Sequence, residues 1–110
     1  MQDPCIWTVL TVKSDVKGVA AVDILAIPPR WVVHEGTFRP PLYHRNVASE
    51  FIVIVKGSLD GAKDASGIST LYNGMTPHGP TREEWDKGIT EEQLPVRISN
   101  DNMLVMFESR

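Results

Sequence analysis

Cysteine is nearly absent from this chain: the single one, Cys5, cannot close an internal disulfide, which excludes a disulfide-stapled secreted scaffold and fits a reducing, cytosolic (cytoplasmic) setting. Histidine is almost as scarce, at three residues, so any site built on imidazole draws on His34, His44 and His78. No uninterrupted apolar run exceeds five residues, as in Phe51 to Val55, against the roughly 20 that a membrane-spanning helix needs. The opening residues lack a basic-then-apolar leader, so neither a membrane nor a secretory setting is expected. Positive charge is not in excess: 11 basic against 14 acidic residues give a net charge of −3, which excludes a nucleic-acid binder driven by composition. Internal repeats, low-complexity tracts and dividing linkers are missing too, and the 110 residues are expected to form one domain, 1–110.

What is present is a series of short apolar runs, rich in β-branched side chains and bounded by Gly, Pro, Asp and Asn. That pattern predicts strands near Cys5 to Lys13, Val19 to Ile27, Arg30 to His34, Phe51 to Lys56, Ser69 to Tyr72 and Met103 to Glu108. Pro28-Pro29 and Pro40-Pro41 cannot donate to a ladder and mark bends or sheet edges. Asn73 to Pro80 is a loop by its Gly and Pro content. Thr81-Arg-Glu-Glu84 has the spacing of a capping box and predicts a short helix that Gly88 would stop, with another turn over Thr90 to Leu94 before Pro95. Five or six short strands with little helix place the chain in the all-β class, as a β-sandwich or an open barrel-like half. Trp7, Trp31 and Trp85 read as core and edge packing, Cys5 as an inert buried thiol, and Glu83-Glu84 and Glu91-Glu92 as a solvated face.

Chemistry concentrates between Phe38 and Gly57. His44 sits in a Pro-led loop, and Glu50 stands at the mouth of an apolar strand. An ionised carboxylate buried there without a partner costs several kcal/mol, so Glu50 is solvated, paired with a cation such as Arg45, or bound to a metal. Two imidazoles and one carboxylate on one side of an octahedral ion leave open positions for oxygen and substrate, the arrangement non-haem Fe(II) oxygenases use. His44, Glu50 and His78 supply that inventory, whereas His34 reads as a surface or satisfied core histidine. On a β scaffold the third ligand can lie 28 residues beyond Glu50, because strand pairing brings distant segments together.

His44-x5-Glu50-x6-Gly57 resembles the first cupin motif with its second histidine replaced by Asn46. Asp3-Pro4, Thr8 to Thr11, Pro28 to Trp31, Thr37 to Pro41, Tyr43 to Asn46, Ser49 to Phe51, Met75 to Pro80 and Met106 to Ser109 resemble, in order, the carboxyl-terminal cupin region of the homogentisate 1,2-dioxygenase family. The resemblance implies a cupin-like double-stranded β-helix (jelly roll), whole or incomplete, with one or two short helices. It implies Fe(II) held by His44, Glu50 and His78, and insertion of both atoms of O2 into homogentisate to give maleylacetoacetate in tyrosine and phenylalanine breakdown. Arg39, Tyr43 and Asn46, which flank the first ligand, are the candidates for orienting the ligands or lining the pocket by hydrogen bonds, and these three with Tyr72 for binding the small aromatic acid. Family members are similar in forming multi-subunit assemblies, so a homo-oligomer is implied, without nucleic acid or membrane.

The same resemblance places a general-base histidine where Met1 stands, a tyrosine where Leu59 stands and a histidine where Tyr72 stands. Full members are several times longer, so the chain is expected to be a fragment or a divergent relative. Two other readings compete: a metal-binding cupin module without ring cleavage, for want of that base, and a metal-free β-rich interaction piece.

Overall fold

A computed structural model describes residues 6–31, 42–58, 64–92, 94–95 and 97–110. Cys5, His34, Arg39 and Leu59, and with them the predicted ends of the first and third strands, lie outside the described residues. The elements in chain order are β1 (Trp7–Lys13), β2 (Ala20–Ile27), β3 (Arg30–Trp31), β4 (Ser49–Lys56), β5 (Ser69–Tyr72), α1 (Arg82–Thr90), β6 (Arg97–Ile98) and β7 (Met103–Ser109). Five of the strands form one antiparallel sheet in the order β1-β2-β7-β4-β5, while β3 and β6 pair separately. The chain is thus all-β with a single short helix among the described residues, as expected of part of a cupin-like sandwich.

Register decides which side chains meet, because alternate residues of a strand face opposite sides. Ile27 pairs with Leu104, which pairs with Ile54, and Leu25 pairs with Met106, which pairs with Ile52. These residues share one face, and Ile27, Ile54, Leu104 and Met106 are buried there as the core, with Leu25, Ile52 and Ala65 packed against them. The opposite face is also apolar. Ile24, Phe107, Phe51 and Leu71 lie in one row across it, with the Phe51 and Phe107 rings 6.2 Å apart, and Phe51 and Leu71 are exposed. The sheet is apolar on both sides, and only one side is covered among the described residues. No helix among them is long and apolar enough to cross a membrane.

Three expectations are corrected. The strand expected from Phe51 begins at Ser49, so Glu50 lies inside β4 and not at its mouth; its ladder partners are Tyr72 and Glu108. Gly88 does not stop the helix: it is buried within α1, which runs on to Thr90 because the Lys87 carbonyl still accepts from the Glu91 N–H. The helix ends where Glu91 turns extended, at φ −97° and ψ 150°, and the further turn expected over Thr90 to Leu94 falls partly outside the described residues. Finally, the tryptophans pack at edges and not in the core. Trp7 is 54% exposed on the outermost strand, Trp31 lies under the Arg97 guanidinium, and Trp85 lies under that of Arg82. The capping box forms as predicted, with the Glu84 N–H donating to the Thr81 hydroxyl and the Thr81 N–H donating to the Glu84 carboxylate.

Candidate metal centre

The site is assembled from two loops and one strand. Loop residue His44 and loop residue His78 form an isolated antiparallel bridge, and the Met75 N–H donates to the Asn46 carbonyl at 2.7 Å. The second loop turns tightly at Met75, at φ 65°, and is held to β4 by the Gly74 N–H donating to the Ser49 hydroxyl at 3.0 Å. Glu50, the next residue of β4, has a carboxylate oxygen within 4.8 Å of a ring nitrogen of each histidine.

The imidazoles are oriented by backbone carbonyls. Nδ1 of His44 lies 3.0 Å from the Leu42 carbonyl oxygen, and Nδ1 of His78 lies 2.9 Å from that of Thr76. A carbonyl only accepts, so each Nδ1 carries a proton, which leaves each Nε2 as the nitrogen that a neutral ring offers to a metal. The His78 ring is also fixed by stacking on Tyr72, with centroids 4.3 Å apart and planes 15° off parallel, and it meets the His44 ring edge-on at 4.5 Å.

Glu50 is only 7% exposed. The Asn46 side-chain amide donates to its Oε1, and its Oε2 lies 3.3 Å from Nε2 of His78. That separation is short enough for an ion pair, yet the alignment is not that of a hydrogen bond, and the buried Nε2 of His78 has no hydrogen-bond partner among the described residues. A buried ring nitrogen that faces a carboxylate oxygen without a hydrogen bond is an arrangement a shared cation resolves. One ligand atom from each of His44, Glu50 and His78 lies within 4.8 Å of the other two, so the three side chains can draw together onto one ion. A donor set of two imidazoles and one carboxylate is one that suits ferrous iron and leaves coordination positions free. The residues present fit the group.

Negative charge continues across the sheet. Asp23 pairs with Glu108, and Glu108 pairs with Glu50, so three carboxyl groups stand in one row on the core side. Burial pushes the Glu108 carboxyl up from its usual range, and the charges of Glu50 and Asp23 push it the same way. A cavity of about 270 Å³ lined by Asp23, Asn46, Glu108 and Arg110 opens beside this row. Sequence reasoning missed Asp23 and Glu108. Their signal was a carboxylate within or at the end of an apolar strand, but their meeting depends on register.

The remaining predicted residues are placed as follows. Tyr43 lines a second cleft with Pro80, Arg82 and Trp85, its hydroxyl donating to the Pro77 carbonyl at 3.2 Å. Tyr72 lies against His78, and Asn46 against Glu50. Arg39 lies outside the described residues.

A family model described as homogentisate 1,2-dioxygenase C-terminal matches residues 1–110. Proteins named homogentisate 1,2-dioxygenase are similar to the chain in Nitrobacter hamburgensis (46% identical over 98% of this chain and 24% of that protein), Mus musculus (45% over 97% and 24%) and Dictyostelium discoideum (43% over 97% and 25%). The chain spans about a quarter of the length of the curated relatives it matches.

Proposed function

The chain belongs to the homogentisate 1,2-dioxygenase family, matching its carboxyl-terminal region, and from that membership we propose that it carries the iron(II) site of a dioxygenase that opens the homogentisate ring. His44, Glu50 and His78 hold the ion. Bound there, ferrous iron supplies Lewis acidity and a path for electrons between an aromatic substrate and O2. Both oxygen atoms enter the ring, which opens to maleylacetoacetate, the step expected in tyrosine and phenylalanine breakdown.

The protein's own part is positioning. The Leu42 and Thr76 carbonyls hold the two Nδ1 protons and so keep each Nε2 free to ligate. The Tyr72 ring keeps water from one face of His78 and fixes the plane of its imidazole. Two neutral imidazoles and a single carboxylate leave a divalent ion with net positive charge, which favours an anionic phenolic acid as substrate. Tyr43, Asn46 and Tyr72, with Arg39, are the proposed substrate-binding residues, and a reducing cytosolic setting is the proposed location.

One observation carries this reading: the buried Nε2 of His78 faces Glu50 without a hydrogen-bond partner, with His44 at its side. The test is anaerobic loading with Fe(II) followed by O2 uptake on homogentisate. Equimolar O2 and substrate consumption above a Glu50→Ala control supports it; bound iron with no consumption above that control contradicts it.

A further inference from the structure

We propose that Asn46 is a positioning residue that makes Glu50 present one oxygen, Oε2, toward the histidines; this rests on the metal reading of the His44, Glu50 and His78 cluster. Three observations meet at this one residue. Asn46 follows the first histidine by two positions. Its backbone carbonyl accepts from the Met75 N–H at 2.7 Å, which ties down the turn that leads into His78. Its side-chain amide donates to Oε1 of Glu50 while Oε2 lies 3.3 Å from Nε2 of His78.

A carboxylate has two equivalent oxygens and turns readily about its last bond. Beside a cation it can give one oxygen or both, and giving both occupies a second coordination position. Glu50 also has the Glu108 carboxyl opposite it in the ladder, which repels it sideways. A neutral donor on Oε1 settles both matters. It removes Oε1 from competition for the ion, and it holds the carboxylate plane against the push from Glu108. Lysine or arginine in this place would neutralise Glu50 and weaken its hold on a cation; an amide orients it without doing so.

Because the tie to Met75 uses the backbone, replacing the side chain leaves that tie in place and isolates the amide. The experiment compares the intact chain with Asn46→Ala and the similarly sized Asn46→Leu, titrated anaerobically with Co(II), with dissociation constants and visible absorption spectra recorded. Asn46→Leu keeps the volume should Asn46→Ala fold poorly. Both variants are expected to bind Co(II) at least about 10-fold more weakly. Their ligand-field spectra should also change, as the released carboxylate offers both oxygens. Variants with the wild-type affinity and spectrum overturn the role of Asn46 while leaving the metal site standing. Failure of the unaltered chain to take up Co(II) or Fe(II) overturns the metal reading, and this inference with it.

Discussion

His44 and His78 exchange both of their backbone hydrogen bonds, N–H to carbonyl at 2.8 and 2.9 Å, and this single bridge fixes the spacing of their imidazoles. The two rings are therefore held by main chain and not by side-chain packing alone. What permits the approach is Gly79, at φ 144°, where an added Cβ would lie 2.7 Å from the Leu42 carbonyl oxygen and 2.8 Å from the Tyr43 Cα. Both of those atoms are backbone and cannot swing aside.

Gly79→Ala is accordingly expected to cost about 1–3 kcal/mol of stability and to open the bridge. Denaturant melts read the first effect. The second appears as metal affinity lowered about 10-fold or more while His44, Glu50 and His78 are all still present.

The two faces of the sheet should respond unequally. Leu104 is 8% exposed within the core, and Leu104→Ala is expected to cost about 3 kcal/mol. Leu71 is 60% exposed on the other face, and Leu71→Ala should cost under about 0.5 kcal/mol. Paired thermal melts of the two variants check the assignment of inner and outer faces.

Helix α1 carries the acid sensitivity that can be traced to a single box. The Thr81 backbone N–H and then its hydroxyl hold the Glu84 carboxyl below its ordinary value of 4.5. An acid lowered on folding stabilises the folded chain above that ordinary value, and the contribution is lost as pH falls through the lower, folded value. Glu84→Gln should therefore flatten the helix signal in a far-ultraviolet circular dichroism titration below about pH 4.5, and Thr81→Ala should cost about 1 kcal/mol at neutral pH.

Glu108 works in the opposite direction. Its burial, with Glu50 and Asp23 beside it, disfavours its charged form, so at neutral pH its ionisation opposes folding. Glu108→Gln is expected to stabilise the metal-free chain by about 0.5 kcal/mol, a figure discounted for its partial contact with solvent. A cation beside Glu50 offsets the repulsion, so the gain should shrink when melts are repeated with metal.

Part of this was legible in the sequence. Residue types supplied His44, Glu50 and His78 as a possible ligand inventory, the family resemblance singled them out, and the strand at Ser69 to Tyr72 was bounded as expected. Register was not legible. Because β4 and β7 are apolar on both faces, no alternation marks which residues turn inward, and so the row Asp23, Glu108, Glu50 could not be read. The two-residue strand β6 is too short to show any period. Gly88 misled because a glycine ends a helix only when it takes positive φ, and Gly88 stays helical. Asn46 was recognised as a neighbour of the first ligand, but the direction of its amide follows from where β4 brings Glu50.

The most direct test is an anaerobic Fe(II) titration of the chain and of His44→Ala, Glu50→Ala and His78→Ala, with folding checked by circular dichroism. One tightly held ion per chain, lost in each of the three folded variants, is the predicted result. An unaltered chain that takes up no ion, or variants that keep it undiminished, would contradict a shared metal centre.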